Sequence, residues 1–213
     1  MLEYGAPLLE ERPDPAILEE FGLESGRYFL VVARFEPENQ ILEIVRAHER
    51  SDCEMPLVVL TNTDRRSSYA RTTLERRSDR VHFLGPIYDR EVLAGLRGHC
   101  HAYVHGHTVG GTNPSLLEAM GCGNLTLAHD NAFNREVLRD HGLYFRGEED
   151  LAELLLASEW LDAERRREYE EGSLDRASTH YDWERIVAGY RAVLDGAAEL
   201  GDNEQNAPER KAA

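Results

Sequence analysis

Residues 105–123 read His-Gly-His-Thr-Val-Gly-Gly-Thr-Asn-Pro-Ser-Leu-Leu-Glu-Ala-Met-Gly-Cys-Gly, and the organisation of the chain turns on how this stretch is punctuated. It leaves a short apolar strand, Ala102-Tyr103-Val104, turns through Gly110-Gly111 and enters an apolar helix over 115–120. Adjacent glycines let the backbone take φ > 0 and come close to a ligand. Asn113 is suited to cap the helix and Pro114 to occupy its first position. Unpaired amides at such a helix start, together with the positive end of its dipole, favour an anion, most often a phosphate. Glu118 falls one turn further in, among Leu116, Leu117 and Met120, where a carboxylate needs a partner and ribose hydroxyls would serve.

The flanking sequence repeats the same grammar. Tyr28 to Ala33 is a continuous apolar run, the signature of a strand buried on both faces in a parallel sheet. Further strands are expected at 57–60, 81–84, 101–104, 125–128 and 143–145. Helices are expected between them at 39–49, with Asn39 as its cap, then at 67–77, 89–97 and 131–138. This alternation implies a doubly wound, Rossmann-like α/β domain over residues 27–200, with right-handed crossovers and ligands at the carboxyl ends of the strands. Residues 1–26 read as irregular, broken by Pro7, Pro13 and Pro15, with a short helix near 16–21. From Glu148 the chain turns helical, over 151–160, 163–177 and 183–200, and the polar residues 201–213 are expected to be a disordered tail.

Composition narrows the function. A length of 213 residues suits one well-buried domain. The net charge of −16 argues against a nucleic-acid surface, since phosphate-rich partners are repelled without a local basic patch. Lys211 is the only lysine, a bias consistent either with a GC-rich genome or with a salt-adapted surface. No apolar run is long enough for a transmembrane segment, and the N-terminus has no basic region leading into an apolar one. The expected location is cytoplasmic, with a peripheral place at the inner membrane face left open. Cys53, Cys100 and Cys122 read as reduced, buried thiols, and their spacing offers no metal site. The first strand runs into Ala33-Arg34-Phe35-Glu36 without a GxGxxG, which disfavours a nicotinamide cofactor.

Gly110 to Met120, Gly-Gly-Thr-Asn-Pro-Ser-Leu-Leu-Glu-Ala-Met, resembles the donor site of the retaining GT-B glycosyltransferases often called family 4. Within that group it looks most like a bacterial branch that includes rhamnosyltransferases. The resemblance implies that the chain is the C-terminal, donor-binding half of a GT-B fold and that it binds a nucleoside-diphosphate sugar with no metal or other cofactor. Glu118 matches the second Glu of the family motif, which binds the donor ribose. The first Glu would fall at Gly110 and is missing. Arg34 matches a phosphate-binding Arg and is the candidate for stabilising the leaving group, while the Lys five residues on is here Asn39. Gly85-Pro86-Ile87 resembles the loop holding the nucleobase, with Ile87 as the contact, although a Gly-Pro turn before Asp89 needs no ligand to explain it. The Tyr4-Gly5-Ala6 segment is similar to the link from an acceptor domain, so residues 1–26 would be a linker and Met1 would lie near the junction. Trp183 and Tyr190 are similar to the element that crosses back to that domain, or are simply core aromatics.

The candidate donor-binding set is Arg34, Ile87, His105, His107, Gly110, Gly111, Thr112, Asn113, Ser115 and Glu118, with Thr61 and Asn62 as weaker neighbours. His105 and His107 sit at the expected mouth of the cleft, as ligands of phosphate or sugar or as hydrogen-bonded scaffolding. Asn134-Arg135-Glu136 reads as a structural inter-helix contact. The expected function is donor binding for retaining glycosyl transfer to a saccharide or lipid-linked acceptor, with the catalytic residues of the acceptor side supplied by another domain or a separate chain. A non-catalytic nucleotide-sugar module and one half of a split enzyme are the alternatives.

Overall fold

The computed structural model describes residues 3–62 and 67–205; of the tail expected to be disordered at 201–213, residues 201–205 instead continue the last helix and 206–213 lie outside the described residues. Six strands form a single sheet: β1 (Phe29–Val32), β2 (Leu57–Leu60), β3 (Val81–Leu84), β4 (Ala102–His105), β5 (Thr126–His129) and β6 (Leu143–Phe145). They pair in parallel throughout, in the order β3-β2-β1-β4-β5-β6. The helices are α1 (Ile41–Arg50), α2 (Ser68–Leu74), α3 (Arg90–Gly98), α4 (Pro114–Gly121), α5 (Ala132–Leu138), α6 (Glu148–Glu159), α7 (Ala163–His180) and α8 (Trp183–Gln205).

Strand residues alternate between two helical layers, as a parallel sheet requires. Phe29 and Val31 of β1 and Leu57 and Val59 of β2 face a core with Ile41, Ile44 and Val45 of α1 and Leu151 and Leu155 of α6. Leu30 and Val58 turn the other way, onto Leu18, Leu96 of α3 and Ala119 of α4. Beside them Leu116, Leu117 and Met120 of α4 pack with Val137, Leu138, Ala177 and Tyr181. The sheet is therefore doubly wound, and its strand order reverses between β1 and β4.

Most helix starts follow their capping residues. The side chains of Ser67, Asp89, Asn113, Asn131 and Asp162 each accept from a backbone amide in the first turn of α2, α3, α4, α5 and α7. The expected cap at Asn39 is corrected: α1 starts from Gln40, held at φ 52 without a side-chain cap. Asn39 instead closes a 3₁₀ turn over Pro37–Asn39, and its Nδ2 donates to the Arg34 carbonyl at 2.9 Å.

The N-terminal segment is docked. Ala6 N donates to Tyr181 O at 2.7 Å and Leu9 N to Gly121 O at 2.9 Å. Gly121 has to be glycine, because a Cβ there would stand 1.9 Å from the Pro7 carbonyl oxygen. The core aromatic at the α7–α8 corner is Tyr181, whereas Trp183 and Tyr190 are exposed, which rules out the reading of both as core residues. The cysteines are free; Cys53 and Cys100 are buried, and Cys122, against expectation, is half-buried. Among the described residues no helix is long and apolar enough to cross a membrane.

Candidate functional site

A cleft of about 610 Å³ opens at the carboxyl ends of the strands, where the β1/β4 reversal leaves the crossover helices diverging. Its walls are Val32 to Arg34 after β1, Thr61 and Asn62 after β2, Pro86 and Ile87 after β3, His107 after β4, Asn113 to Ser115 and Glu118 of α4, and Leu93 and Arg97 of α3. Arg34, Ile87, His107, Asn113, Ser115 and Glu118 are thus brought together from segments up to 84 positions apart (118 − 34). Gly110, Gly111 and Thr112 stand beyond the lining, at the rim next to Val109, with Gly110 at φ +134 as its lack of a Cβ allows.

His105 is not at the mouth. Strand β4 runs one residue further than its apolar run suggests, pairing His105 with Ala128, and the ring is buried beneath the cleft with neither nitrogen bonded to protein. Alternation along the strand puts Tyr103, His105 and His107 on one face. The His105 and His107 rings stack with centroids 4.3 Å apart and an interplanar angle of 9°. Burial, with His107 alongside, holds the His105 pKa well below its ordinary value.

The loop carrying His107 is fixed from both sides. Its carbonyl accepts from Asn131 Nδ2 at 2.9 Å and Asn134 Nδ2 at 3.1 Å. Thr108 N donates to Glu38 O at 2.8 Å, and Gly106 lies so close to the β1–α1 turn that a Cβ would be 2.5 Å from the Asn39 carbonyl oxygen. Asn134 therefore ties α5 to strand-end carbonyls, including His129 O at 2.9 Å, while the inter-helix contact expected of this segment is made at Glu136, whose carbonyl accepts from Arg176 Nη2 of α7 at 2.8 Å. Burial and the Arg34 guanidinium press the His107 pKa down to about 4, against a smaller upward pull from Glu38.

The amides expected to be free at the start of α4 are taken. Pro114 has none, Ser115 N donates to Asn113 Oδ1 at 3.0 Å, and Leu116 N and Leu117 N share the Asn113 carbonyl at 3.1 Å each. A single N-cap residue thus absorbs the helix start. Of the groups suited to an anion, the cleft lining keeps the guanidinium of Arg34 and the His107 ring.

Glu118 does not await a ligand for its charge. Arg97 Nη2 on α3 donates to Glu118 Oε2, with Arg97 only 10% exposed and Glu118 36% exposed at the side chain. The sequence reading missed Arg97. Its trace is an Arg four residues after Leu93 and next to Leu96, on the apolar stripe of a helix, where a cation requires a partner. The remaining capacity of the Glu118 carboxylate faces the cleft beside Arg97. Among the described residues no three His, Cys, Asp or Glu side chains converge to hold a metal ion.

Comparison with known proteins agrees with this architecture. Residues 15–172 match the family described as Glycosyl transferases group 1. No curated protein matches the chain by sequence. Among solved structures, the sucrose-phosphate synthase of Thermosynechococcus elongatus superposes with a TM-score of 0.76 at 19% identity, over 92% of this chain and 52% of its own. Anabaena HepE in complex with UDP gives a TM-score of 0.74 at 16% identity, covering 87% and 54%. The α,α-trehalose 6-phosphate synthase of Burkholderia multivorans gives 0.72 at 18%, covering 87% and 45%. The chain therefore spans about half the length of the solved structures it matches, and at these identities the likeness establishes the fold.

Proposed function

The chain belongs to the glycosyl transferases group 1 family, and from that premise we propose that it is the donor-binding domain of a retaining glycosyltransferase, holding a nucleoside-diphosphate sugar in the cleft at the β1/β4 reversal. The observation that carries this reading is the convergence of Arg34, Ile87, His107, Ser115 and Glu118 on that one cleft. The nucleobase lies against Ile87, the ribose hydroxyls donate to Glu118, and the diphosphate lies between Arg34 and the 107–115 loop. As the bond to the sugar breaks, negative charge grows on the departing diphosphate. A guanidinium and fixed backbone dipoles already in place stabilise that charge without reorganising, so no metal or other cofactor is called for. Arg97 holds the Glu118 carboxylate in one orientation for the ribose.

On the Gly110 to Met120 sequence we assign the chain to the bacterial branch that includes rhamnosyltransferases. The saccharide or lipid-linked acceptor is supplied through an acceptor domain or separate chain at the cytoplasmic side of the membrane. The match to about half the length of the solved structures, and the UDP and UDP-glucose in the HepE structures, support the reading. Calorimetric titration of the chain with UDP-, dTDP- and GDP-sugars tests it. At least one should bind, and Arg34→Ala should weaken that binding about tenfold or more, the scale of a charge-assisted phosphate contact. Failure of every member of the panel to bind would overturn the assignment.

A further inference from the structure

His107 is a ring held in place with nothing to hold. Its peptide is clamped by two asparagine side chains on the carbonyl and by the Thr108 to Glu38 hydrogen bond on the other side. Its face is backed by the parallel ring of buried His105. Yet its Nδ1 is shut off from solvent without a protein partner, and the ring lines the same cleft as Arg34. A ring nitrogen buried without a partner is costly; closed to water, it is closed to a ligand too, so it is the cleft-lining part of the ring that an anion can meet.

The charges around the ring say which ligand. From the β1–α1 connection it faces Arg34 and Glu38, and from β4 it faces His105, whose burial keeps it neutral. On the β5–α5 side Asn131 stands between it and His129, itself held below its ordinary pKa by burial, with Asp130 beyond. Glu118, in the same cleft lining, is already paired with Arg97. The cation bearing on His107 is therefore Arg34, which disfavours a proton on the ring while the cleft is empty. A doubly charged anion beside Arg34 reverses that field.

We propose that His107 is a proton-taking ligand of the donor's diphosphate, neutral in the free protein and protonated when the anion enters the cleft. The proposal rests on the donor-site reading above and adds to it a pH dependence of binding. The imidazolium then donates to a phosphate oxygen, and His105 remains neutral beneath it. Binding tightens as the pH falls from neutrality, because the bound state holds a proton that the free state lacks.

The test is calorimetry of the full chain at pH 6 with whichever of UDP-glucose, dTDP-glucose or GDP-mannose binds, in MES and in cacodylate, two buffers of different ionisation enthalpy. A nucleotide sugar carries no phosphate that titrates there, so proton uptake reports the protein. The expected result is uptake of roughly half a proton or more per site, abolished in His107→Gln, with affinity rising roughly tenfold between pH 7.5 and 5.5 in the wild type and flat in the variant. The imidazole resonances of histidine-labelled wild-type protein give a variant-free readout: one histidine should move to its protonated shift on saturation at pH 6. Binding without proton uptake, or uptake unchanged in His107→Gln, overturns this proposal and leaves the donor site standing. Binding by none of the three overturns both.

Discussion

Arg97 on α3 donates to the Glu118 carboxylate on α4, and both side chains line the cleft that Arg34 also lines. The ion pair joins two crossover helices that share no turn of sequence, and it sets the orientation of the acid assigned to the ribose. Substitutions at the pair consequently act on stability and on binding together.

Glu118→Ala should destabilise the protein by about 1–3 kcal/mol, because it strands a mostly buried guanidinium; the half-open position of Glu118 keeps the loss below that of a fully buried pair. Glu118→Gln preserves an acceptor for Arg97 and should cost about 1 kcal/mol or less. Urea unfolding of the two variants checks the order. Equal losses would show that the ion pair contributes nothing beyond packing.

At Asn113 the two roles separate. Asn113→Ala removes the acceptor of Ser115 N and of Ser115 Oγ and should cost about 1 kcal/mol. Asn113→Asp keeps the cap but places a carboxylate in the cleft lining, so thermal unfolding should stay near wild type while nucleotide-sugar affinity falls roughly fivefold or more. Unchanged affinity in Asn113→Asp would move the diphosphate away from this helix start.

Gly106→Ala forces a Cβ to within 2.5 Å of the Asn39 carbonyl oxygen and 2.8 Å of Ile44 Cδ1. The backbone oxygen cannot swing away, so the β4 loop must part from the β1–α1 turn. We expect about 1–3 kcal/mol of destabilisation and loss of donor binding in the protein that remains folded. Calorimetry on the folded fraction is the check, and wild-type affinity would mean that the two loops need not touch for binding.

The sheet was legible because its strands carry continuous apolar runs bounded by turn residues; β2, β3 and β6 fall on the expected residues. β4 extended past its apolar run because His105 satisfies the ladder as well as a valine does. That one-residue shift moved His105 from the cleft mouth to the buried face. Asn39 has the chemistry of a cap, but Pro37 begins a 3₁₀ turn that turns its amide back onto Arg34. The cleft residues nearest the strand ends could be read from the alternation alone. Arg97 could not be paired with Glu118, since the contact runs between helices separated by a strand, and the closure of the α4 amides depended on Asn113 accepting with both its side chain and its carbonyl.

The buried histidines make the fold acid-sensitive. His101, 8% exposed, has its pKa lowered to about 4 by burial and by Arg166, and His48 is lowered by burial. A depressed folded-state pKa means that the unfolded chain protonates first, so stability is full above about pH 6.5 and is lost as the pH falls toward 4. Each such histidine contributes a slope on the order of 1 kcal/mol per pH unit in that window. His101→Gln, which retains a donor for Ser158 O, should flatten the profile in urea melts between pH 7 and 5. An unchanged slope would assign the acid sensitivity elsewhere.

The most direct test is a crystal structure of the chain with a bound nucleotide sugar. The account predicts the diphosphate within about 3 Å of the Arg34 guanidinium and the His107 ring, the ribose hydroxyls on Glu118 and the base against Ile87. A ligand seated instead at the amino ends of the strands, in the polar cavity between Arg12 and Arg166, would contradict it.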